Sequence, residues 1–224
     1  YNGMSAKKTV EQLNERYKDG DGNNILRRDP KDDFGTNPCS EIILRSREFC
    51  NLSEIVVRRE DTRESLKEKV RSATILGTFQ STLTEFKYLS REWKRNCDEE
   101  RLLGVSLTGI MDNPITNGTR GGLKKLLEEL RDIAYETNKE WAEKLGIPTS
   151  AAITCVKPSG TVSQLVDSAS GIHARHNPFY IRTVRADNKD PLCKLMQEMG
   201  FPNEADVTKP EHTTVFSFPM KTPK

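Results

Sequence analysis

Hydrophobic and polar positions alternate along the chain between short apolar runs and longer stretches with helical spacing. Apolar runs that predict strands cover residues 50–58, 101–112, 151–156, 179–185 and 213–218. Apolar residues recur every three or four positions over residues 66–86 and 123–145, and a shorter helix is predicted over residues 191–199. Strands and helices in series predict an α/β fold with a largely parallel sheet or a barrel.

Two predicted helices carry signals at their ends. Asp61, with Glu64 three residues later, predicts a capping pair at the start of the first helix. Gly146 and Pro148 predict the end of the long helix. Because the chain has no repeat of fixed period and no low-complexity segment, we place no boundary inside residues 1–224 and treat them as one domain.

Composition and charge exclude several classes of protein. The chain has 224 residues, 34% hydrophobic and 30% charged, with no apolar run long enough to cross a bilayer. Its 35 basic and 33 acidic side chains are interspersed, which indicates solvated helix faces rather than a nucleic-acid surface. Five irregularly spaced cysteines and no signal peptide predict a reducing, cytoplasmic location. Since the chain begins with Tyr1 and ends directly after a predicted strand, we expect a segment of a longer protein.

The stretch TNPCSEIILRSREFC, residues 36–50, is the first candidate site. Pro38 disfavours a helix at Asn37, so the chain around Cys39 is expected to be extended or turn-like. In an extended chain Asn37, Cys39 and Glu41 lie on one side, with neighbours about 7 Å apart. An amide, a thiol and a carboxylate would then face one small substrate, of about the size of a sugar ring.

Cys50 follows Cys39 by eleven residues, which is enough chain to return it towards Cys39 through a hairpin-like loop. A structural disulfide or two buried small side chains would also explain the pair. A zinc site is disfavoured because the spacing is not that of a zinc ribbon or finger. His173 and His176 could bind a metal together with Cys155, but polar roles are favoured because only two ligands lie close in sequence. We therefore predict no metal site.

The stretch CVKPSGTVSQL, residues 155–165, is the second candidate site. A strand ends, Lys157 and Pro158 turn, and a helix begins within residues 158–163, where the first N–H groups lack partners inside the helix. Such a terminus attracts phosphate, and Gly160 permits close approach, although Ser and Thr also cap ordinary helices. The candidate phosphate-binding residues are Ser159, Gly160, Thr161, Val162 and Ser163.

Together the two stretches resemble a known family. Asn-Pro-Cys-Ser-Glu, a cysteine eleven residues on and then Asn-Leu-Ser-Glu look like the finger loop of ribonucleotide reductases, and residues 157–185 are similar to a long stretch of the same enzymes. The resemblance is to the adenosylcobalamin-dependent, class II ribonucleoside triphosphate reductases. The class I pattern has bulkier residues beside the central cysteine and a wider gap to the next one.

The resemblance implies a fold, an activity and a role for each motif residue. The chain would be the second half of a ten-stranded α/β barrel, with residues 36–50 as a finger loop inside it. Cys39 would carry a thiyl radical that abstracts the 3′ hydrogen of the ribose. Glu41 would act as base on the 3′ hydroxyl, Asn37 would hold the sugar hydroxyls, and Cys50 would be one of two reducing thiols. The backbone of residues 159–163 would hold the substrate phosphates.

The same resemblance implies the partners of the chain. Adenosylcobalamin would be the cofactor, a thioredoxin-like protein the reductant, and deoxyribonucleotides for DNA synthesis the product. The segment alone would be inactive, because the remainder of the polypeptide carries the second reducing thiol.

Two alternatives remain open on the sequence. A non-catalytic phosphate-binding α/β module predicts an apolar environment for Cys39 and a solvent-facing Glu41. A glycyl-radical relative would take its radical from a glycine near the C-terminus.

Overall fold

The structure, a computed structural model, describes residues 3–15, 22 and 26–222. The chain divides into two compact units, Tyr1–Ala174 and Arg175–Lys224, at a boundary that the sequence patterns do not mark. The helices of the first unit are α1 (Gly3–Asn14), α2 (Arg63–Gln80), α3 (Arg91–Glu100), α4 (Leu123–Leu145) and α5 (Val162–Leu165), with a short 3₁₀ turn at Ile110–Asp112. Its strands are β1 (Phe34–Thr36), β2 (Ile43–Arg45), β3 (Asn51–Val56) and β4 (Leu103–Thr108).

The centre of the first unit is the parallel pair β3 and β4, joined through α2 and α3. The strands pair in register from Asn51 with Leu103 to Val56 with Thr108. One face of the pair packs against α2 and α4. The buried side chains of this core are Ile55, Val57, Leu66, Val70, Leu103, Val105, Leu126, Leu130, Ala134 and Ile153. Burying each large aliphatic side chain contributes roughly 1.5–3 kcal/mol, so this face holds the unit together.

The opposite face of the β3–β4 pair carries side chains of different chemistry. Because side chains alternate along a strand, Leu52 and Glu54 of β3 share this face with Gly104 and Ser106 of β4. Cys50, immediately before β3, continues the same alternation. The hairpin of β1 and β2 contributes Ile42, which is buried with Leu102 and Ala151 in a second cluster that Leu52 and Cys50 contact. The face away from the helices is therefore where the candidate site lies.

The predicted third strand, residues 151–156, is wrong as a full strand. This segment pairs with β4 in parallel at one bridge, Val105 with Thr154, and Thr154 is exposed. Backbone hydrogen bonds from Val105 to Ile153 and from Cys155 to Val105 still hold it against β4. The Lys157–Pro158 turn then ends the pairing, because proline cannot donate to a strand partner.

The start of α2 differs from the predicted capping pair. Thr62 is the N-cap, and its hydroxyl accepts a hydrogen bond from the Ser65 N–H while the Ser65 side chain accepts from the Thr62 N–H. Asp61 instead accepts from the Arg58 N–H at 2.7 Å and pairs with Lys69. The Asp61 carboxylate, one residue before the cap, thus stabilises the preceding loop, and it also accepts a hydrogen bond from the Ser65 hydroxyl in the first turn of α2 at 2.8 Å.

Helix α2 also ends earlier than the apolar spacing predicts. It stops at Gln80, and the Ser81 and Thr82 hydroxyls donate to the carbonyls of Thr78 and Phe79. These bonds satisfy carbonyls that a continued helix would have used. The long helix α4 is confirmed over residues 123–145, and Gly146 ends it with a φ of 64°.

The second unit is antiparallel throughout its sheet, so the prediction of a largely parallel sheet is wrong here. It contains β5 (Phe179–Asp187), α6 (Pro191–Glu198), β6 (Asn203–Ala205) and β7 (Thr213–Lys221). The strand order is β5-β7-β6, with both pairings antiparallel. The predicted strands at residues 179–185 and 213–218 are confirmed. Within the described ranges of both units, no helix is long and apolar enough to cross a membrane.

Candidate active site

The hairpin of β1 and β2 presents Cys39 at its tip. The strands pair from Phe34 with Arg45 to Thr36 with Ile43. Between them the Ser40 N–H donates to the Asn37 carbonyl at 2.9 Å and closes a turn, in which Pro38 takes the position that its fixed φ favours. Cys39 follows Pro38 in this turn and is exposed within the chain, as a free thiol. The tip is therefore a turn, and the alternation of side chains in an extended chain does not apply to it.

The Asn37 side chain stabilises the hairpin tip. Its carboxamide oxygen accepts a hydrogen bond from the Ile42 N–H at 3.1 Å, and the Asn37 N–H donates to the Ile42 carbonyl at 3.3 Å. The loop therefore already uses the oxygen of the Asn37 amide, the group that we expected to hold the sugar hydroxyls. The side-chain NH₂ group remains the part of Asn37 with donors for a ligand.

Glu41, on the other side of the turn, has one oxygen without a partner. Its Oε2 atom is buried and makes no hydrogen bond to any described residue. A buried polar atom without a partner costs about 1–3 kcal/mol, so such atoms in a folded protein need an explanation. A ligand hydroxyl that donates to this oxygen would supply one.

Cys50 lies near Glu41 in the cluster around Ile42. Burial first, and then the negative charge of Glu41, raise the pKa of the Cys50 thiol to about 11. Cys50 is therefore present as the protonated thiol, rather than the thiolate, at neutral pH.

A second half-buried thiol, Cys155, contacts the same cluster. Burial, Glu41 and Cys50 together raise its pKa to about 12. The sequence suggested only strand packing or a metal role for Cys155, and within the described residues no three His, Cys, Asp or Glu side chains form a possible metal site. Its position beside Glu41 results from the pairing of residues 153–155 with β4.

The stretch after Cys155 is anchored to the sheet face by side chains. The Lys157 N–H donates to the Ser106 hydroxyl at 2.9 Å, and Glu54 accepts hydrogen bonds from the Lys157 ammonium and the Ser159 hydroxyl. The bond with Glu54 raises the pKa of Lys157, and the electrostatic effects of Glu41 and Cys39 act in the same direction. Lys157 thus lies within electrostatic reach of both the hairpin tip and β3.

The predicted phosphate-binding residues open a very short helix. Helix α5 begins at Val162 and has four residues, and the Ser163 N–H already donates to the Ser159 carbonyl at 3.3 Å. Of the predicted range, Ser163 is therefore not a free backbone donor. Sequence reasoning gave no site role to Glu54, the last residue of the Asn-Leu-Ser-Glu stretch, or to Lys157 in the turn. The alternation of positions 50, 52 and 54 along one strand face was the signal that could have indicated Glu54.

A buried ionic cluster supports the base of the hairpin. Arg28 contacts Glu100 at 2.7 Å and Glu48 at 3.3 Å, and Arg45 contacts Glu100 at 2.8 Å. Burial and the neighbouring Glu100 carboxylate raise the pKa of Glu48 to about 8, against the opposing effect of Arg28. The cluster joins β2 and the loop after it to the end of α3, and so fixes the hairpin on the first unit.

The chain is similar to proteins of known activity. No protein-family model matches the chain. The adenosylcobalamin-dependent ribonucleoside-triphosphate reductase of Euglena gracilis is 32% identical over 187 residues, covering 84% of this chain and 25% of that protein. The enzyme of the same name from Lactobacillus delbrueckii subsp. bulgaricus is 28% identical over 212 residues, covering 84% of this chain and 28% of that protein. A crystal structure of a B12-dependent (class II) ribonucleotide reductase has a TM-score of 0.67 and 27% identity, covering 84% of this chain and 29% of that chain.

The mixed α/β fold is therefore similar to that of a segment of ribonucleotide reductases, and the resemblance indicated by the two sequence stretches is confirmed. The relatives are, more particularly, adenosylcobalamin-dependent ribonucleoside-triphosphate reductases. The chain spans about a quarter of the length of these curated relatives, 25% and 28% for the two proteins above.

Proposed function

We propose that this chain is the part of a class II ribonucleotide reductase that carries the chemistry on the substrate ribose. The observation that supports this proposal best is the buried, unpartnered Glu41 Oε2 beside the Cys39 turn. Cys50 and Lys157 both lie within electrostatic reach of the same carboxylate. A thiol, a base, a reducing thiol and a cation near the phosphate stretch are the groups that ribonucleotide reduction needs.

Each residue has a role that suits its environment. Cys39, exposed at the turn, takes the 3′ hydrogen atom of the ribose as a thiyl radical and returns it at the end of the reaction. Glu41 accepts the proton of the 3′ hydroxyl through its free oxygen. Asn37 donates from its side-chain NH₂ group to a sugar hydroxyl, while its oxygen keeps the loop closed.

The reduction of the ribose takes two thiols, Cys50 and one further cysteine. Cys50 and a partner thiol outside this chain each give up one hydrogen, the 2′ hydroxyl leaves as water, and the two sulfurs join as a disulfide. The raised pKa of Cys50, about 11, keeps its thiol protonated until it gives its hydrogen to the ribose. A thioredoxin-like dithiol then reduces the disulfide by exchange. The products are deoxyribonucleotides, and ribonucleoside triphosphates are the substrates that the names of the relatives indicate.

Adenosylcobalamin is the cofactor that the relatives' names state. When bound, it supplies the radical that converts a cysteine thiol into a thiyl. The feature of this chain that fits such a group is the Cys39 thiol, which is exposed at the tip of the hairpin and can be approached from outside it.

The finer fold belongs to the same proposal. The β3–β4 pair and residues 151–156 would form part of the second half of a ten-stranded barrel, and the hairpin would be its internal finger loop. A sulfur radical needs protection from solvent. The remainder of the polypeptide would therefore cover the Cys39 face.

The alternative of a non-catalytic module is disfavoured by two features. It predicts an apolar environment for Cys39 and a solvent-facing Glu41. Cys39 is exposed and the Glu41 Oε2 atom is buried, which is the opposite arrangement for both residues.

Substitution of Cys39 in the intact protein tests the function. Cys39→Ser should abolish cobalamin-dependent reduction of ribonucleoside triphosphates, because a hydroxyl does not host the radical, and nucleotide affinity should stay within about twofold. Ser40→Ala, at the next position of the turn, is the matched control and should retain activity. Reduction of ribonucleotides by the Cys39→Ser protein would reject the mechanism.

Cys50→Ser separates the radical step from the reducing step. Exchange of the substrate 3′ hydrogen should continue while deoxyribonucleotide formation stops, because only the reducing hydrogen is missing. Cys193→Ser, in the second unit, is the thiol control. Full turnover of the Cys50→Ser protein would exclude Cys50 as a reducing thiol.

A further inference from the structure

Glu54 makes two hydrogen bonds to the segment that carries the phosphate-binding residues. One carboxylate oxygen accepts from the Lys157 ammonium and the other from the Ser159 hydroxyl. The Glu54 side chain is 8% exposed, and Ser159 is 2% exposed. Hydrogen bonds to a buried charged group contribute more to stability than hydrogen bonds between neutral groups. The two bonds therefore bind residues 157–159 firmly to β3.

The same segment is held from two other directions. The Lys157 N–H donates to Ser106 on the neighbouring strand β4. A Cβ atom on Gly171 would stand 2.6 Å from the Lys157 carbonyl oxygen and 3.0 Å from that of Pro158, so the chain at Gly171 packs directly against this turn. Ser159 has a φ of 55°, a left-handed conformation that non-glycine residues adopt only when their surroundings hold them there. The Glu54 bond to its hydroxyl is part of that support.

Strand β3 connects this segment to the reducing thiol. Cys50 and Glu54 are four residues apart on the same side of an extended chain, which places them about 13 Å apart along the strand. The strand is rigid over this length because it pairs with β4 at every residue from Asn51 to Val56. A fixed length of strand thus separates Cys50 from the point where the phosphate segment is anchored.

We infer that Glu54 is a positioning residue for the substrate, which holds the phosphate-binding segment through Lys157 and Ser159 at a set distance from Cys39, Glu41 and Cys50. The inference rests on the proposed function and adds to it a residue that sets where the ribose lies once the phosphates are bound. Lys157 takes part through its ammonium, which faces Glu54 and is within electrostatic reach of Glu41 and Cys39. A ribonucleotide that binds by its phosphates is then directed with its ribose towards the hairpin tip.

Glu54→Gln in the intact protein tests the inference. Glutamine keeps the size of the side chain and can still accept from Ser159, but it loses the charged bond to Lys157. We expect the KM for ribonucleoside triphosphate to rise about tenfold and kcat to fall about tenfold to a hundredfold, because small displacements of a reacting group have effects of this size. Glu136→Gln, at an exposed position of α4, is the control and should match the unsubstituted protein.

A binding experiment distinguishes positioning from a general loss of structure. Equilibrium affinities are measured for a ribonucleoside triphosphate and for the same ribonucleoside without phosphates. Glu54→Gln should weaken the triphosphate about tenfold and leave the nucleoside within about twofold. An equal loss for both ligands would reject positioning through the phosphate segment.

Lys157 provides a double-mutant cycle and a rescue. Lys157→Gln should weaken triphosphate binding about as much as Glu54→Gln does. The double variant should bind triphosphate no more weakly than the single variant of lower affinity, because the two substitutions remove the same interaction. Lys157→Arg should restore most of the affinity, since a guanidinium can also pair with Glu54. Losses that multiply in the double variant would overturn the inference.

The proposed function and this inference fail in different ways. If the unsubstituted protein reduces ribonucleotides and Glu54→Gln has the same KM, kcat and affinities, the inference alone is wrong. If the unsubstituted protein does not reduce ribonucleotides, the proposed function is wrong, and the inference falls with it.

Discussion

The buried carboxylate of Glu48 leads to a prediction with a definite sign. Its pKa is raised from 4.5 to about 8, chiefly by burial and then by Glu100, so the folded protein holds a proton that the unfolded chain releases above about pH 4.5. The folded state therefore binds more protons than the unfolded state between these two values. The stability that this protonated group contributes is fully present below pH 4.5, decreases as pH rises, and is lost above about pH 8.

The magnitude follows from the same two values. Each pH unit in this window corresponds to about 1.36 kcal/mol, so the cost at pH 7 is on the order of 3 kcal/mol. Glutamine does not ionise, and its amide group can donate to Glu100 while its oxygen accepts from the Arg45 N–H, as Glu48 Oε2 does at 2.9 Å. Glu48→Gln should therefore stabilise the hairpin base at pH 7 by up to about 3 kcal/mol, and have little effect near pH 4.5.

Hydrogen exchange of the intact protein, followed by mass spectrometry, is a suitable assay because it reports the free energy of local opening. Peptides from β2 and α3 should lose protection between pH 5 and pH 8, after correction for intrinsic exchange, and this loss should be absent in Glu48→Gln. Peptides from β7, in the second unit, serve as an internal control. The same pH dependence in both proteins, or weaker protection in Glu48→Gln at pH 7, would refute this account of the cluster.

Two further predictions concern the sheet face. Gly104→Ala should destabilise β4 by about 1–3 kcal/mol, since the new Cβ would stand 2.4 Å from a methyl group of Leu52 on β3 and 3.1 Å from the Cys155 sulfur. Gly35→Ala is the control, because its new Cβ would have no atom within 4 Å. Hydrogen exchange of β4 measures the effect of both substitutions. In residues 1–224 alone, where Cys39 is exposed, iodoacetamide at pH 8 should alkylate Cys50 and Cys155 at least tenfold more slowly than Cys39, because partial burial raises their pKa to about 11 and 12 and the thiolate is the reactive form. Peptide mapping gives the three rates, and equal rates would contradict the half-buried, protonated state of Cys50 and Cys155.

Sequence signals correctly predicted those helices and strands whose ends are set by residues close to them in the chain. Helix α4 ends where Gly146 permits a left-handed residue, and its apolar spacing extends over its whole length. The same signals failed where several residues could play one role. Thr62, rather than Asp61, caps α2 because the Asp61 carboxylate is taken by the Arg58 N–H and by Lys69. A choice between adjacent capping residues depends on partners that spacing alone does not indicate.

The antiparallel second unit could not be predicted from the order of its elements. Strand, helix and strand in sequence agree with a parallel crossover, yet β5 and β7 pair antiparallel from Phe179 with Lys221 to Asp187 with Thr213. The short strand β6 and its turn reverse the chain before β7 begins. A three-residue strand of exposed residues carries too little apolar pattern to be recognised.

The sequence by itself determined the chemical groups of the candidate site and their order: a turn-forming asparagine and proline, a thiol, an acid, a second thiol and a phosphate-type stretch. Tertiary structure decided which of these groups lie close together. The Glu54 carboxylate accepts a hydrogen bond from Lys157, which lies 103 residues later in the chain. Cys155 lies near Glu41 because residues 153–155 pair with β4. The physical reason is that alternation along a strand fixes which side chains share a face, whereas the packing of distant strands and turns fixes which faces come together.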